Sequence, residues 1–172
     1  MNMKKLLTIS LLGFLPLSSF ADDQVCHKTM EHTTPESRFK LLNDGAEVHD
    51  TKTDLIWQRC NIGQKWDKAK DTCSGTATTL TWKTALSETK KLGNGYRLPN
   101  IKELQSIIEY KCAYPALNQN IFKGHNEENS WYFSSTPKVS DTGVFAITFS
   151  NIGIQPVGKA STGVARAVRS AK

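Results

Sequence analysis

Alternating apolar and polar positions predict three short strands between residues 38 and 60. The segments RFKLL, AEVHD and DLIWQ each alternate, and the turn-forming segments NDG and TKT separate them. We therefore predict a small antiparallel meander. Its expected core residues are Phe39, Leu41, Val48, Leu55 and Trp57.

Helical spacing follows in two later segments. Residues 80–93 form the first predicted helix, which Thr81 can cap and Gly93 can end. Its apolar residues fall near one face: Trp82, Ala85, Leu86 and Leu92. A second helix is predicted after Pro99, because Asn100 and Glu103 have the spacing of a capping box. Its apolar stripe consists of Ile101, Leu104, Ile107 and Ile108.

The corner between these helices, GNGYRLP, contains one residue that the turn itself does not need. Gly95 permits an unusual backbone turn, and Pro99 prevents the chain from continuing as helix before Asn100. Arg97 is the exception. We predict that its guanidinium group holds loop carbonyls or a carboxylate; the alternative is a cation that faces a ligand.

The rest of the chain has a mainly β character. Residues 112–129 show no regular pattern and predict a long loop, where binding sites often lie. SWYFSST is a predicted strand, GVFAITFSNIGIQPVG a hairpin and GVARAVRS the last strand. The order of elements predicts an α+β fold with a mainly antiparallel sheet.

The first 21 residues have the features of a signal peptide. Lys4 and Lys5 precede a short apolar run, and Ser19 and Ala21 provide the small residues of a cleavage site. We expect cleavage after Ala21, then an N-terminal arm over residues 22–37 and a domain over residues 38–172. No later segment is long and apolar enough for a membrane span. The sequence thus predicts a bacterial protein exported to the periplasm or the cell surface.

The net charge of the chain indicates which class of binding partner to expect. Without Lys4 and Lys5, 20 basic residues face 16 acidic ones, a net charge of about +4. This mild excess is not typical of a nucleic-acid-binding protein, so we expect no nucleic-acid partner. An anionic polysaccharide is the more plausible acidic partner for an exported chain.

An even number of cysteines in an exported chain predicts two disulfides. Four cysteines allow three pairings, and we favour Cys60–Cys73 with Cys26–Cys112. The first pair closes a short loop with little core of its own, and the second ties the arm to the domain. A zinc site is disfavoured because no Cys-x-x-Cys pair occurs.

The side chains with candidate chemistry suggest binding rather than catalysis. No known catalytic motif is present and the four histidines are scattered, so we predict no enzyme activity, metal or cofactor. The segment HNEEN (125–129) could chelate Ca²⁺ but better fits a solvated loop tip. Trp66 lies among lysines in the disulfide loop and could stack on a sugar, or pack the loop onto the body. The candidate ligand-binding residues are Lys65, Trp66, Lys68, Lys70, Lys83, Lys90 and Lys91.

Six motifs in order carry a resemblance to a known family: TDLIWQRC, LTWKTAL, GYRLPNIKELQSI, CAYPALN, WYFSSTP and ARAVRS. Over roughly residues 38–170 the chain resembles the exported bacterial family named for the C-terminal domain of the Legionella collagen-like adhesin. YRLPNIKEL is also similar to the Arg-Leu-Pro-Thr corner of formylglycine-generating enzymes, which have a C-type-lectin-like fold. The resemblance implies such a fold, with two helices packed on a twisted antiparallel sheet.

The resemblance also implies a ligand class, sulfated glycosaminoglycans, which the adhesin's domain is implicated in binding. The calcium-binding motifs of C-type lectins are missing, since this chain has only QPV at 155–157 and no Trp-Asn-Asp. We therefore expect a non-catalytic module that binds anionic or sulfated glycans without calcium. The alternative is a structural or protein-interaction module of the envelope, a pilus or a secretion assembly.

Overall fold

The computed structural model describes residues 24–125, 131–139, 142–150 and 152–171. These residues form an α+β fold of mostly antiparallel strands, two helices and two disulfides. This architecture is consistent with the lectin-like fold that the resemblance implied. The predicted signal peptide, residues 1–21, and nearly all of HNEEN lie outside the described residues.

The predicted meander, both helices and the late hairpin are confirmed by the elements of the structure. The helices are α1 (Trp82–Lys91) and α2 (Ile101–Ser106). The strands are β1 (Val25–Cys26), β2 (Phe39–Leu42), β3 (Glu47–Asp50), β4 (Leu55–Gln58), β5 (Lys65–Asp67), β6 (Thr72–Ser74), β7 (Cys112–Ala113), β8 (Tyr132–Pro137), β9 (Gly143–Thr148), β10 (Gly153–Gly158) and β11 (Val168–Ser170). Short 3₁₀ turns cover Glu36–Arg38 and Asn43–Gly45.

The meander is part of an antiparallel sheet of four strands in the order β11-β4-β3-β2. Val48 on β3 lies opposite Leu41 and Trp57, and both Val48 and Trp57 are fully buried. The prediction that Leu41 is a core residue is wrong, because its exposed fraction is 55%. β2 is the outer strand of the sheet, so Leu41 has a strand neighbour on one side only.

A second sheet, with the order β10-β9-β8, supports the helices. Tyr132 on β8 lies opposite Ile147 on β9, and both are fully buried. α2 packs against β8 and β9, and α1 packs against β8. The Trp82 indole of α1 donates a hydrogen bond to the Ser134 carbonyl over 2.9 Å, which fixes the helix on the sheet. No helix in the described part of the chain combines the length and apolar character that crossing a membrane requires.

Both helix starts have the caps that the sequence predicted. Thr81 and Asn100 each accept a hydrogen bond from the backbone N–H three residues later, in reciprocal capping boxes. Gly93 follows α1 with a φ of +70°, a conformation that glycine adopts without strain. Leu92, grouped with the apolar face of the predicted helix, is the residue after α1 and is 45% exposed.

The N-terminal arm packs against the chain that follows α2. β1 pairs with β7, and the Cys26–Cys112 disulfide joins two residues that face each other in that pair. Gln24 donates hydrogen bonds to the carbonyls of Pro115 (2.6 Å) and Leu117 (2.9 Å). These contacts hold the described part of the arm against the domain, whereas the proposed domain boundary at residue 38 stays a prediction.

Candidate functional site

The predicted disulfide loop is a β-hairpin. β5 and β6 pair with Trp66 opposite Cys73, and the Cys60–Cys73 disulfide ties the hairpin to the end of β4. The Asp67 carboxylate accepts hydrogen bonds from the N–H groups of Ala69 (3.1 Å) and Lys70 (3.2 Å), which stabilise the turn. Sequence reasoning missed this hairpin because its strands are short and rich in charged residues.

Trp66 docks the hairpin onto the body of the protein. Its indole N–H donates to the Asp44 carbonyl over 3.0 Å, and the Arg59 guanidinium lies 4.4 Å from the ring centroid. Gly45 has a φ of +87°, and a Cβ atom there would lie 3.0 Å from the Trp66 ring. The packing alternative for Trp66 therefore describes its contacts in the structure, and stacking on a ligand stays a prediction.

The three lysines of the hairpin are exposed but differ in their neighbours. Lys68 lies 3.0 Å from the Asp44 carboxylate and Lys70 lies 3.7 Å from Asp67. Lys65 has no carboxylate within 4 Å among the described residues. Lys65 is thus the hairpin lysine whose charge is least neutralised by the protein itself.

Helix α1 exposes the other predicted lysines. Lys91 pairs with Glu88 over 2.6 Å, whereas Lys83 and Lys90 have no carboxylate within 4 Å in the described part of the chain. Lys90 and Lys91 lie in the last turn, where positive charge interacts favourably with the helix dipole.

The last turn of α1 lies between two clefts. One cleft, of about 270 Å³, separates Lys91 and Glu88 from the segment 60–64 at the base of the hairpin. The other, of about 680 Å³, is lined by Lys90 together with the corner 93–98. The base of the hairpin and the last turn of α1 thus border one cleft, and Lys91 is the predicted lysine that lines it. A binding surface shared by the hairpin and helix lysines stays a prediction.

Arg97 forms a two-pronged ion pair with Glu103. Its terminal nitrogens lie 2.7 and 2.6 Å from the two carboxylate oxygens, and Glu103 also accepts from the Asn100 N–H over 2.7 Å. Burial alone would raise the pKa of Glu103, but the hydrogen bonds from Arg97 and Asn100 outweigh it and hold the pKa below its ordinary value. The guanidinium is engaged by a carboxylate, one of the two structural partners expected for it.

Two buried arginines that the sequence analysis did not single out hold the loops next to the hairpin. Arg59 donates to the carbonyls of Gly45, Asn120 and Ile121 over 2.7–2.9 Å. Arg166 donates to the carbonyls of Gln58, Arg59 and Lys123. In the sequence, nothing distinguishes these arginines from exposed ones, because their partners are distant backbone carbonyls.

The side chains that could take part in catalysis either lie far apart or already form hydrogen bonds or disulfides. Within the described residues, no three His, Cys, Asp or Glu side chains are grouped so as to hold a metal ion. Ser134 is buried and its hydroxyl donates to the Phe145 carbonyl over 2.6 Å, so it takes part in core hydrogen bonding. Burial and the nearby Arg166 lower the pKa of His125 to about 4, so this ring is neutral near neutral pH. All four cysteines form disulfides, in the pairing favoured from their spacing.

Comparison with known families agrees with this architecture. The model of the Lcl C-terminal domain matches residues 46–169, which include the sheet β10-β9-β8, strands β3 and β4, both helices, the β5–β6 hairpin and the corner. The chain belongs to the Lcl C-terminal domain family. The Lcl C-terminal domain match begins after β2, so the arm and the first strand of the meander lie outside it. No curated protein matches the chain.

Proposed function

We propose that this Lcl C-terminal domain protein is an exported, non-catalytic module that binds anionic, sulfated polysaccharide without calcium. The observation that carries the proposal is the cleft that the hairpin base and the last turn of α1 border. The two disulfides and the family membership support export. The ligand class comes from the family resemblance, since the namesake domain is implicated in binding sulfated glycosaminoglycans.

Three lysines of the hairpin and α1 supply most of the attraction in the proposal: Lys65 begins β5, Lys83 lies in the first turn of α1 and Lys90 lies in its last turn. Lys65, Lys83 and Lys90 are exposed and lack a carboxylate within 4 Å among the described residues. Lys68, Lys70 and Lys91 each have an acidic neighbour, so they contribute less. Sulfates repeat along such polysaccharides, so separated lysines suit them better than a deep pocket. Each contact is exposed and screened by salt, and the affinity therefore falls steeply with ionic strength.

Retention on a heparin column tests the proposal against simple basicity. The protein should elute from heparin at higher salt than from a cation exchanger of equal charge density, with or without a calcium chelator. Reversing the charges of Lys65, Lys83 and Lys90 to Glu should reduce heparin retention more than reversing three exposed lysines elsewhere, Lys28, Lys40 and Lys52. Both triple variants carry the same net charge.

Two results would refute the proposal. Elution from both columns at the same salt would show nonspecific basicity. Equal losses in the two triple variants would remove the proposed surface. A lack of any specific retention would favour the alternative, a structural or protein-interaction module of the envelope.

A further inference from the structure

A cavity lies where the N-terminal arm meets the segment that follows α2. Its volume is about 350 Å³, at the lower end of the ~300–1,000 Å³ range of small-molecule sites. The arm contributes one wall, which precedes the family match, and the domain contributes the other. The polar side chains that line it are Gln24, His32, Glu36, Glu109, Asn118, Gln119 and Asn120.

We propose that this cavity binds one unit of an uncharged saccharide. The site is separate from the basic surface, and its ligand differs in charge, so the inference does not depend on the proposed polysaccharide binding. It is based on the unused hydrogen-bonding groups of the walls, their rigidity and their charge.

The walls retain groups that can bind hydroxyls. The Asn120 amide donates to one oxygen of Glu36 over 2.6 Å, which orients both side chains. Three groups have no hydrogen-bond partner among the described residues: the second Glu36 carboxylate oxygen, the Asn120 amide oxygen and the exposed Gln119 amide. A sugar hydroxyl both donates and accepts, so it matches this mixture of carboxylate and amide groups. Pro35, which is exposed, adds apolar surface for the carbon face of a sugar ring.

The walls are rigid before any ligand arrives. The buried Glu109 carboxylate accepts hydrogen bonds from the backbone N–H groups of Thr33 (3.0 Å), Thr34 (2.9 Å) and Lys111 (3.0 Å). These bonds and the Cys26–Cys112 disulfide fix the arm against the domain. A site that is already ordered loses little conformational entropy on binding, which favours a small ligand.

The charge of the cavity selects against acidic sugars. Two carboxylates, Glu36 and Glu109, line it, and its lining includes no lysine or arginine in the described part of the chain. A sulfate or uronate would face like charge there. The cavity and the lysine surface therefore favour opposite ligand classes.

Titration of the ¹⁵N-labelled protein, followed by NMR, tests this inference. The probes are galactose, mannose and N-acetylglucosamine, with glucuronate as the acidic comparison. We expect at least one neutral sugar to shift the amide signals of Gln24, Gln119 and Asn120, and glucuronate to shift them less. Gln119→Ala and Asn120→Ala should each weaken binding about 2–10-fold, the effect of one lost hydrogen bond.

The matched control is Gln155→Ala, which removes an exposed glutamine amide on β10, outside the cavity lining. It should bind the sugar with the affinity of the wild type. The inference is wrong if none of the three sugars shifts the cavity signals, if glucuronate shifts them as strongly, or if both cavity variants bind like the control. These outcomes leave the heparin result unaffected, so the two proposals fail separately.

Discussion

Replacing Glu109 by glutamine should lower the free energy of unfolding by about 3 kcal/mol at neutral pH. Glu109 is 1% exposed and accepts three backbone hydrogen bonds and two from the hydroxyls of Thr33 and Thr34. Burial raises its pKa, but these donors outweigh burial and lower the pKa from 4.5 to about 2. At ~1.36 kcal/mol per pKa unit, this difference corresponds to about 3 kcal/mol. Glutamine keeps the size but directs an NH₂ group toward N–H donors.

The sign of the pKa shift determines how this loss depends on pH. Because the pKa of Glu109 is lower in the folded state, its contribution is fully present above the ordinary pKa of 4.5 and is lost as the pH falls toward about 2. The difference in unfolding free energy between wild type and Glu109→Gln should therefore be largest near neutral pH and shrink on acidification. Urea unfolding followed by tryptophan fluorescence, with the disulfides intact, measures it at each pH.

Glu36→Gln is the matched control, because Glu36 is exposed and its carboxylate accepts one hydrogen bond among the described residues, from the Asn120 amide. Its loss should stay below about 1 kcal/mol at all pH values. Two results would contradict the conclusion that the ionised Glu109 carboxylate stabilises the arm. One is a loss of unfolding free energy in Glu109→Gln no greater than in this control, and the other is a loss that does not shrink between pH 5 and about pH 3.

Three further predictions follow from the corner, the hairpin and the disulfides. Arg97→Ala should lower the unfolding free energy by about 1 kcal/mol, because solvent screens the ion pair of Arg97 with Glu103, and heparin retention should not change. An unchanged melting temperature together with lost retention would make Arg97 a binding residue. Gly45→Ala should destabilise more than Gly93→Ala in thermal unfolding, by roughly 1–3 kcal/mol. Both glycines have positive φ, but only at Gly45 would a Cβ approach Trp66; equal losses would contradict this packing. Alkylation without reductant should add no mass to the mature protein, and any labelled cysteine would contradict the two disulfides.

Local interactions explain why much of the fold was predictable. The capping boxes join residues three positions apart, so Thr81 and Asn100 indicate the starts of both helices from neighbouring sequence alone. The strands of the meander alternate and are joined by short turns, so their pairing was predictable as well. The disulfide pairing followed from which cysteines enclose a loop with little core.

Contacts between distant parts of the chain explain what the sequence did not predict. Glu109 binds Thr33 and Thr34 across 75–76 residues, and Arg166 binds the carbonyl of Gln58 across 108. No spacing rule identifies such partners, because the side chains bind backbone groups that only the folded chain brings near. The exposure of Leu41 has a similar origin, since it depends on β2 being the outer strand of the sheet.

The candidate sites also combine features that local sequence predicts with features that depend on contacts between distant residues. From the sequence one can read which lysines the chain contains and that α1 follows the disulfide loop closely. The carboxylate neighbours of those lysines depend on contacts between distant residues. Lys68 lies beside Asp44 because Trp66 packs on the Gly45 turn. The cavity beside Glu109 was likewise beyond the sequence, since its two walls are separated by more than seventy residues and meet only when the chain folds.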